Sequence, residues 1–112
     1  MVIYSDRAIQ DLEDILYGLV TWEKHPLSFE HAKRYVDEIE AEADTICKKT
    51  FHTDTYYPSH KLYGDKVHLY RKRKQTVWYI IYNWEEPIRM AFVTKIINNY
   101  LTTDTIENNE QL

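Results

Sequence analysis

Lys66, Arg71, Lys72, Arg73 and Lys74 gather five positive charges and no acid into nine residues of a chain whose net charge is −4. Side chains of this kind contact phosphate or an acidic peptide, and the planar guanidinium of Arg suits two-point contact with phosphate oxygens. If the stretch is extended, alternate residues share a face, so Val67, Leu69, Arg71 and Arg73 stand together and His68, Tyr70, Lys72 and Lys74 face the other way. His68 adds an imidazole whose proton exchanges near neutral pH. Two readings of the strip stay open: a surface that binds phosphate or acid, or a sheet edge on which charge prevents pairing with other chains.

Other chemistries are poorly supplied. Cys47 is the single cysteine, which excludes an intramolecular disulfide and a cysteine-built zinc site. It lies on the apolar stripe of a predicted helix and reads as a small core hydrophobe. His52, His60 and His68 match no ligand spacing, and there is no glycine loop for phosphates and no His-Glu-x-x-His. No cofactor and no metal are therefore expected.

The elements that must hold the strip can be read from periodicity. The chain has 112 residues, 44% hydrophobic and 29% charged, with two Gly and three Pro, values that fit one globular domain and exclude collagen-like or low-complexity architectures. Met1 to Tyr4 is β-prone, and Ser5 and Asp6 can cap a helix start. Ala8, Leu12, Ile15, Leu19 and Trp22 then recur at helical spacing until Pro26 breaks the pattern. Ser28 opens a second helix with Phe29, Ala32, Val36, Ile39, Ala43 and Ile46 on one side. Asp37, Glu38, Glu40, Glu42 and Asp44 lie off that stripe, and with Asp11 and Asp14 they read as solvated faces. Two helices with so short a connection fold into an antiparallel hairpin. Phe51 to His60 reads as a loop. After Gly64 the period becomes two, giving strands over 66–74, 77–84 and 88–97 joined by turns at Gln75-Thr76 and Glu85-Glu86-Pro87. The middle strand, Val77 to Trp84, is almost wholly aromatic or β-branched and is predicted to be central and covered on both faces.

The predicted fold is thus α+β: an N-terminal strand and an antiparallel two-helix hairpin packed on an antiparallel β-meander, with a single domain over 1–101 and a polar tail over 102–112. The first 50 residues hold six bases and eleven acids, the remainder eight and seven, so the strip is a local concentration in an acidic protein. No apolar run reaches the roughly 20 residues needed to cross a bilayer. Without a signal-like N-terminus, a cytoplasmic protein that does not engage membranes is expected.

The element order, with Tyr70-Arg71-Lys72-Arg73, Trp78-Tyr79-Ile80-Ile81-Tyr82 and Phe92-Val93-Thr94-Lys95-Ile96, resembles the RelE/ParE toxin superfamily over roughly 2–100. Its members are toxins of bacterial type II toxin-antitoxin modules. RelE-like ones cut messenger RNA at the ribosome; ParE-like ones inhibit DNA gyrase without catalysis. The resemblance implies a cognate antitoxin as partner, seated in an apolar groove that a homodimer could also use, and either ribosome-bound mRNA or gyrase as target. A third possibility is a member that has lost catalysis and only binds its antitoxin.

For the endoribonuclease branch it implies metal-independent phosphoryl transfer, in which a ribose 2′-OH attacks the adjacent phosphate. That chemistry needs a proton acceptor, a proton donor for the leaving 5′-oxygen and positive charge on the phosphate. The family's two alternating bases fall on Arg71 and Arg73. Tyr79 occupies the place of its central-strand arginine, Tyr100 stands near its C-terminal tyrosine, and Asn98-Asn99 replaces a basic cluster. The implied catalytic set is Arg71, Arg73, Tyr79, Tyr100 and His68, with Lys66, Arg71, Lys72, Arg73 and Lys74 on the phosphates. Apart from the resemblance, Tyr79 also reads as a packed core ring, and Tyr56, Tyr57 and Tyr63 as aromatic contacts next to the strip.

Overall fold

The structure, a computed structural model, describes residues 1–99. A strand, β1 (Val2–Tyr4), leads into α1 (Asp6–Thr21) and α2 (Phe29–Asp44). The chain then runs through a 3-10 turn (Ile46–Lys48), β2 (Thr53–Asp54) and α3 (Pro58–Lys61) into β3 (Lys66–Arg73), β4 (Thr76–Glu85) and β5 (Met90–Asn98). The strands form one mixed sheet in the order β1-β5-β4-β3-β2. β1 runs parallel to β5, and every other neighbour is antiparallel. The antiparallel meander is present as β3-β4-β5, and β1 and β2 extend it at its two edges into a five-stranded mixed sheet.

Local chemistry explains the helices. The Ser5 hydroxyl accepts the Ala8 N–H at 3.1 Å and the Ser28 hydroxyl accepts that of His31 at 3.2 Å, each satisfying a donor that the first turn leaves open. Ser5 also donates its own N–H to the Val93 carbonyl at 2.8 Å, so one residue ends β1, starts α1 and ties both to β5. Most of the stripes predicted from spacing face inward: Ala8 and Leu12 of α1 and Val36, Ile39 and Ala43 of α2 pack on Trp78, Ile80, Tyr82, Ala91, Val93 and Ile96, whereas Trp22 and Phe29, at the facing ends of the two helices, stay exposed. Both helices therefore cover one face of the sheet, and β4 sits at its centre.

Four expectations need correction. The stretch 51–60, read as a loop, contains β2 and most of α3. Asp11 does not belong to a wet face: its side chain is only 11% exposed, and its two carboxylate oxygens accept the Ile96 N–H at 2.9 Å and the Lys95 ammonium at 3.0 Å. β1 pairs only with Ala91 to Val93, so the remaining length of β5 is an edge, and Asp11 occupies one of its donors. Glu38 and Glu42 of α2 are not simply solvated either, because they pair with Lys72 and His68. Cys47 packs against the core as expected but from the 3-10 turn beyond the end of α2, half-buried, with its thiol donating to the Met1 carbonyl at 3.0 Å.

No helix among the described residues is long and apolar enough to cross a membrane. Tyr100 and the tail over 102–112 lie outside the described residues, as does the domain boundary drawn at 101.

Candidate functional site

β3 carries the basic strip and divides it between two faces. His68, Tyr70 and Lys72 point toward α2. Lys72 pairs with Glu38, and its ammonium lies 4.7 Å from the centre of the Tyr35 ring. His68 receives Lys49 Nζ on Nδ1 at 3.0 Å and meets Glu42 Oε1 through Nε2 at 2.8 Å. An ammonium can only donate, so Nδ1 accepts and Nε2 carries the proton that goes to Glu42. Burial lowers the Lys49 pKa, partly offset by Glu42. Tyr70 packs against the core cluster, and burial raises its hydroxyl pKa. At the other end of β3, Lys66 is held by Asp54 at 2.6 Å, and this hydrogen bond raises the lysine pKa. These bases hold the sheet to its surroundings.

The other face behaves differently. Leu69 lies directly across from Tyr79 and Arg71 across from Val77, which places all four on the face turned away from α1 and α2. Arg71 is exposed and donates to the Lys74 carbonyl at 3.3 Å. A register shift lies between Arg71 and Arg73, leaving Arg73 opposite Thr76 at the hairpin tip. The simple alternation expected for the two arginines is broken there, because a bulge puts Lys72 in without a partner and increases the local twist. Both arginines are exposed at the tip, and among the described residues no ion pair involves Arg71, Arg73 or Lys74.

Tyr79 connects this tip to the segment the sequence left as loop. Its ring lies 4.8 Å from His60 and 6.0 Å from Tyr57, and Tyr57 and His60 meet edge to face at 5.1 Å. His60 is 1% exposed. α3 therefore covers the open face over Tyr79 of the central strand, while Leu69 stays half exposed and Arg71 exposed on β3. One residue fixes how closely the segment approaches. A Cβ on Gly64 would stand 2.9 Å from the Tyr82 carbonyl oxygen, so a side chain at 64 would push the segment off the sheet.

The structure thus leaves Arg71 on the open face with Leu69 and Tyr79, places Arg73 opposite Thr76 and Lys74 in the turn at the hairpin tip, directs His68 and Lys72 toward α2, and ties Lys66 to β2. His60 and Tyr57 are the residues of this region that sequence reasoning did not assign to Tyr79. The tyrosine cluster was visible, but its attachment to β4 depends on contacts some twenty residues apart, which periodicity does not carry. Among the described residues no group of three His, Cys, Asp or Glu side chains is placed to hold a metal ion.

A second feature lies on the helix side. Ile15, Leu19 and Trp22 of α1, with Tyr35, Trp78 and Ile96, line a groove of about 880 Å³ along the β5 edge. Gly18 lies in its wall with open space where a Cβ would be.

In comparisons with known proteins, no family model, curated protein or solved structure matches the chain.

Proposed function

We propose that the chain is the toxin subunit of a bacterial type II toxin-antitoxin module, of RelE-like type, acting as a metal-independent endoribonuclease on ribosome-bound mRNA. The observation that carries this reading is the division of the basic strip: the bases facing α2 are bonded to acids, whereas Arg71 and Arg73 stand exposed near the hairpin tip and, among the described residues, outside any ion pair. The order of strand, two-helix hairpin and meander supports the same family. In this reading Arg71 and Arg73 carry the charge that develops on the phosphate. Tyr79 supplies a hydroxyl on the face that carries Arg71, and the groove beside α1 receives the antitoxin.

One observation favours a second reading. His68, the imidazole of the strip, faces away from Arg71 and is bonded to Glu42 and Lys49, as suits a ParE-like gyrase inhibitor or a member that only binds its antitoxin. The test is expression of the wild type and of Arg71→Ala/Arg73→Ala in bacteria, following amino-acid and thymidine incorporation and mapping mRNA ends. The endoribonuclease reading expects early loss of translation with new mRNA ends for the wild type and neither for the double variant. Early loss of DNA synthesis with intact mRNA contradicts it and supports gyrase as target.

A further inference from the structure

The segment between β2 and β3 places its most exposed aromatic ring on a rigid base. Thr55 is buried, its N–H donates to the Asp65 carbonyl at 3.0 Å and its hydroxyl to the Gly64 carbonyl at 3.1 Å. The segment is thereby closed at its root. Tyr57 starts α3, and its carbonyl accepts the N–H groups of His60 and Lys61. Tyr57 in turn rests on His60 and Tyr79. Tyr56 meets Tyr57 edge to face at 5.4 Å, yet it is 82% exposed. Its ring is positioned by the fold without being used by it. From Tyr56 the rings lead through Tyr57 to Tyr79, whose cross-strand neighbour Leu69 is half exposed, and Arg71 follows two residues along β3.

Exposed rings beside arginines are the means by which proteins hold single-stranded nucleic acid: every base has a face that stacks, and guanidinium groups follow the backbone. A duplex hides its base faces and cannot use such a platform. Resting on the functional reading above, we propose that Tyr56 is the stacking platform for an unpaired base of single-stranded RNA whose phosphates lie on Arg71 and Arg73. Recognition is then by shape and strandedness, with purines held better than pyrimidines because their larger faces cover more of the ring.

The proposal is tested with the full chain and fluorescein-labelled oligoadenylate, oligouridylate and their duplex, measured by anisotropy over a range of salt concentrations. Stacking platforms contribute enough that Tyr56→Ala is expected to weaken oligoadenylate binding by about 5- to 100-fold. Tyr56→Phe keeps the ring and retains wild-type affinity. The salt dependence is unchanged in both, because neither removes a phosphate contact; in Arg71→Ala/Arg73→Ala it becomes shallower. Wild-type affinity in Tyr56→Ala, or a duplex bound as tightly as the single strand, overturns the platform while leaving the arginine-dependent reading intact. RNA binding that is the same in wild type and in the arginine double variant overturns the functional reading itself, whatever Tyr56 does.

Discussion

On the face of β3 that meets α2, Lys72 and His68 end on Glu38 and Glu42, and Tyr70 between them packs into the core. On the other face, the same strand exposes Leu69 and Arg71, while Arg73 lies beyond the bulge opposite Thr76 at the hairpin tip, and among the described residues no acid pairs with either arginine. Residue types that look equivalent along the sequence are thus assigned opposite duties by a two-residue period. A base that meets a carboxylate across a layer contributes to holding that layer. A base that meets none leaves its charge to whatever approaches from outside.

The largest expected effect comes from the covered side of this comparison. Ile80 is fully buried beneath both helices, so Ile80→Ala should destabilise the fold by about 2–5 kcal/mol. Leu69, across the sheet and half exposed, should cost well under that when changed to Ala. Urea unfolding of both variants checks the ranking, and equal losses would break the distinction between the faces.

A smaller effect belongs to His52, at the far end of the covered side. Its ring stacks on Trp84 with centres 4.0 Å apart, and Nδ1 lies 2.6 Å from the Tyr82 hydroxyl. Nε2 is buried and has no hydrogen-bond partner among the described residues. Burial, followed by the positive charge of Lys49, lowers its pKa below the ordinary value of 6.5. The unfolded chain then binds a proton at higher pH than the folded chain does. The contribution is complete above the unfolded value and is lost as pH falls through it toward the lowered folded value. Melting temperatures followed from pH 7.5 to about pH 5 should fall less in His52→Phe than in the wild type. An unchanged pH profile would show that His52 is not the group responsible.

Much of the scaffold was legible because its signals are local. Ser5 and Ser28 sit immediately before apolar residues at helical spacing, and Val77 to Trp84 is a run that few structures other than a central strand accommodate. What escaped depends on distant partners. Asp11 has the same type and spacing as exposed Asp14, and only a β5 edge more than eighty positions away makes it a buried acceptor. β2 has two residues and α3 four, too short for any period to register. The bulge at Lys72 is likewise invisible in a strip whose every residue suits a strand. The candidate site was legible as a group of bases. Its division into paired and unpaired members required the position of α2.

That division is tested most directly by removing equal charge from the two faces. Lys72→Ala and Arg71→Ala each delete one base of β3, and each is compared with the wild type for melting temperature and for the proposed mRNA cleavage per folded molecule. The account predicts that Lys72→Ala lowers the melting temperature and retains cleavage, while Arg71→Ala leaves stability within about 0.5 kcal/mol and loses cleavage. Cleavage lost with Lys72 and kept without Arg71 would contradict it.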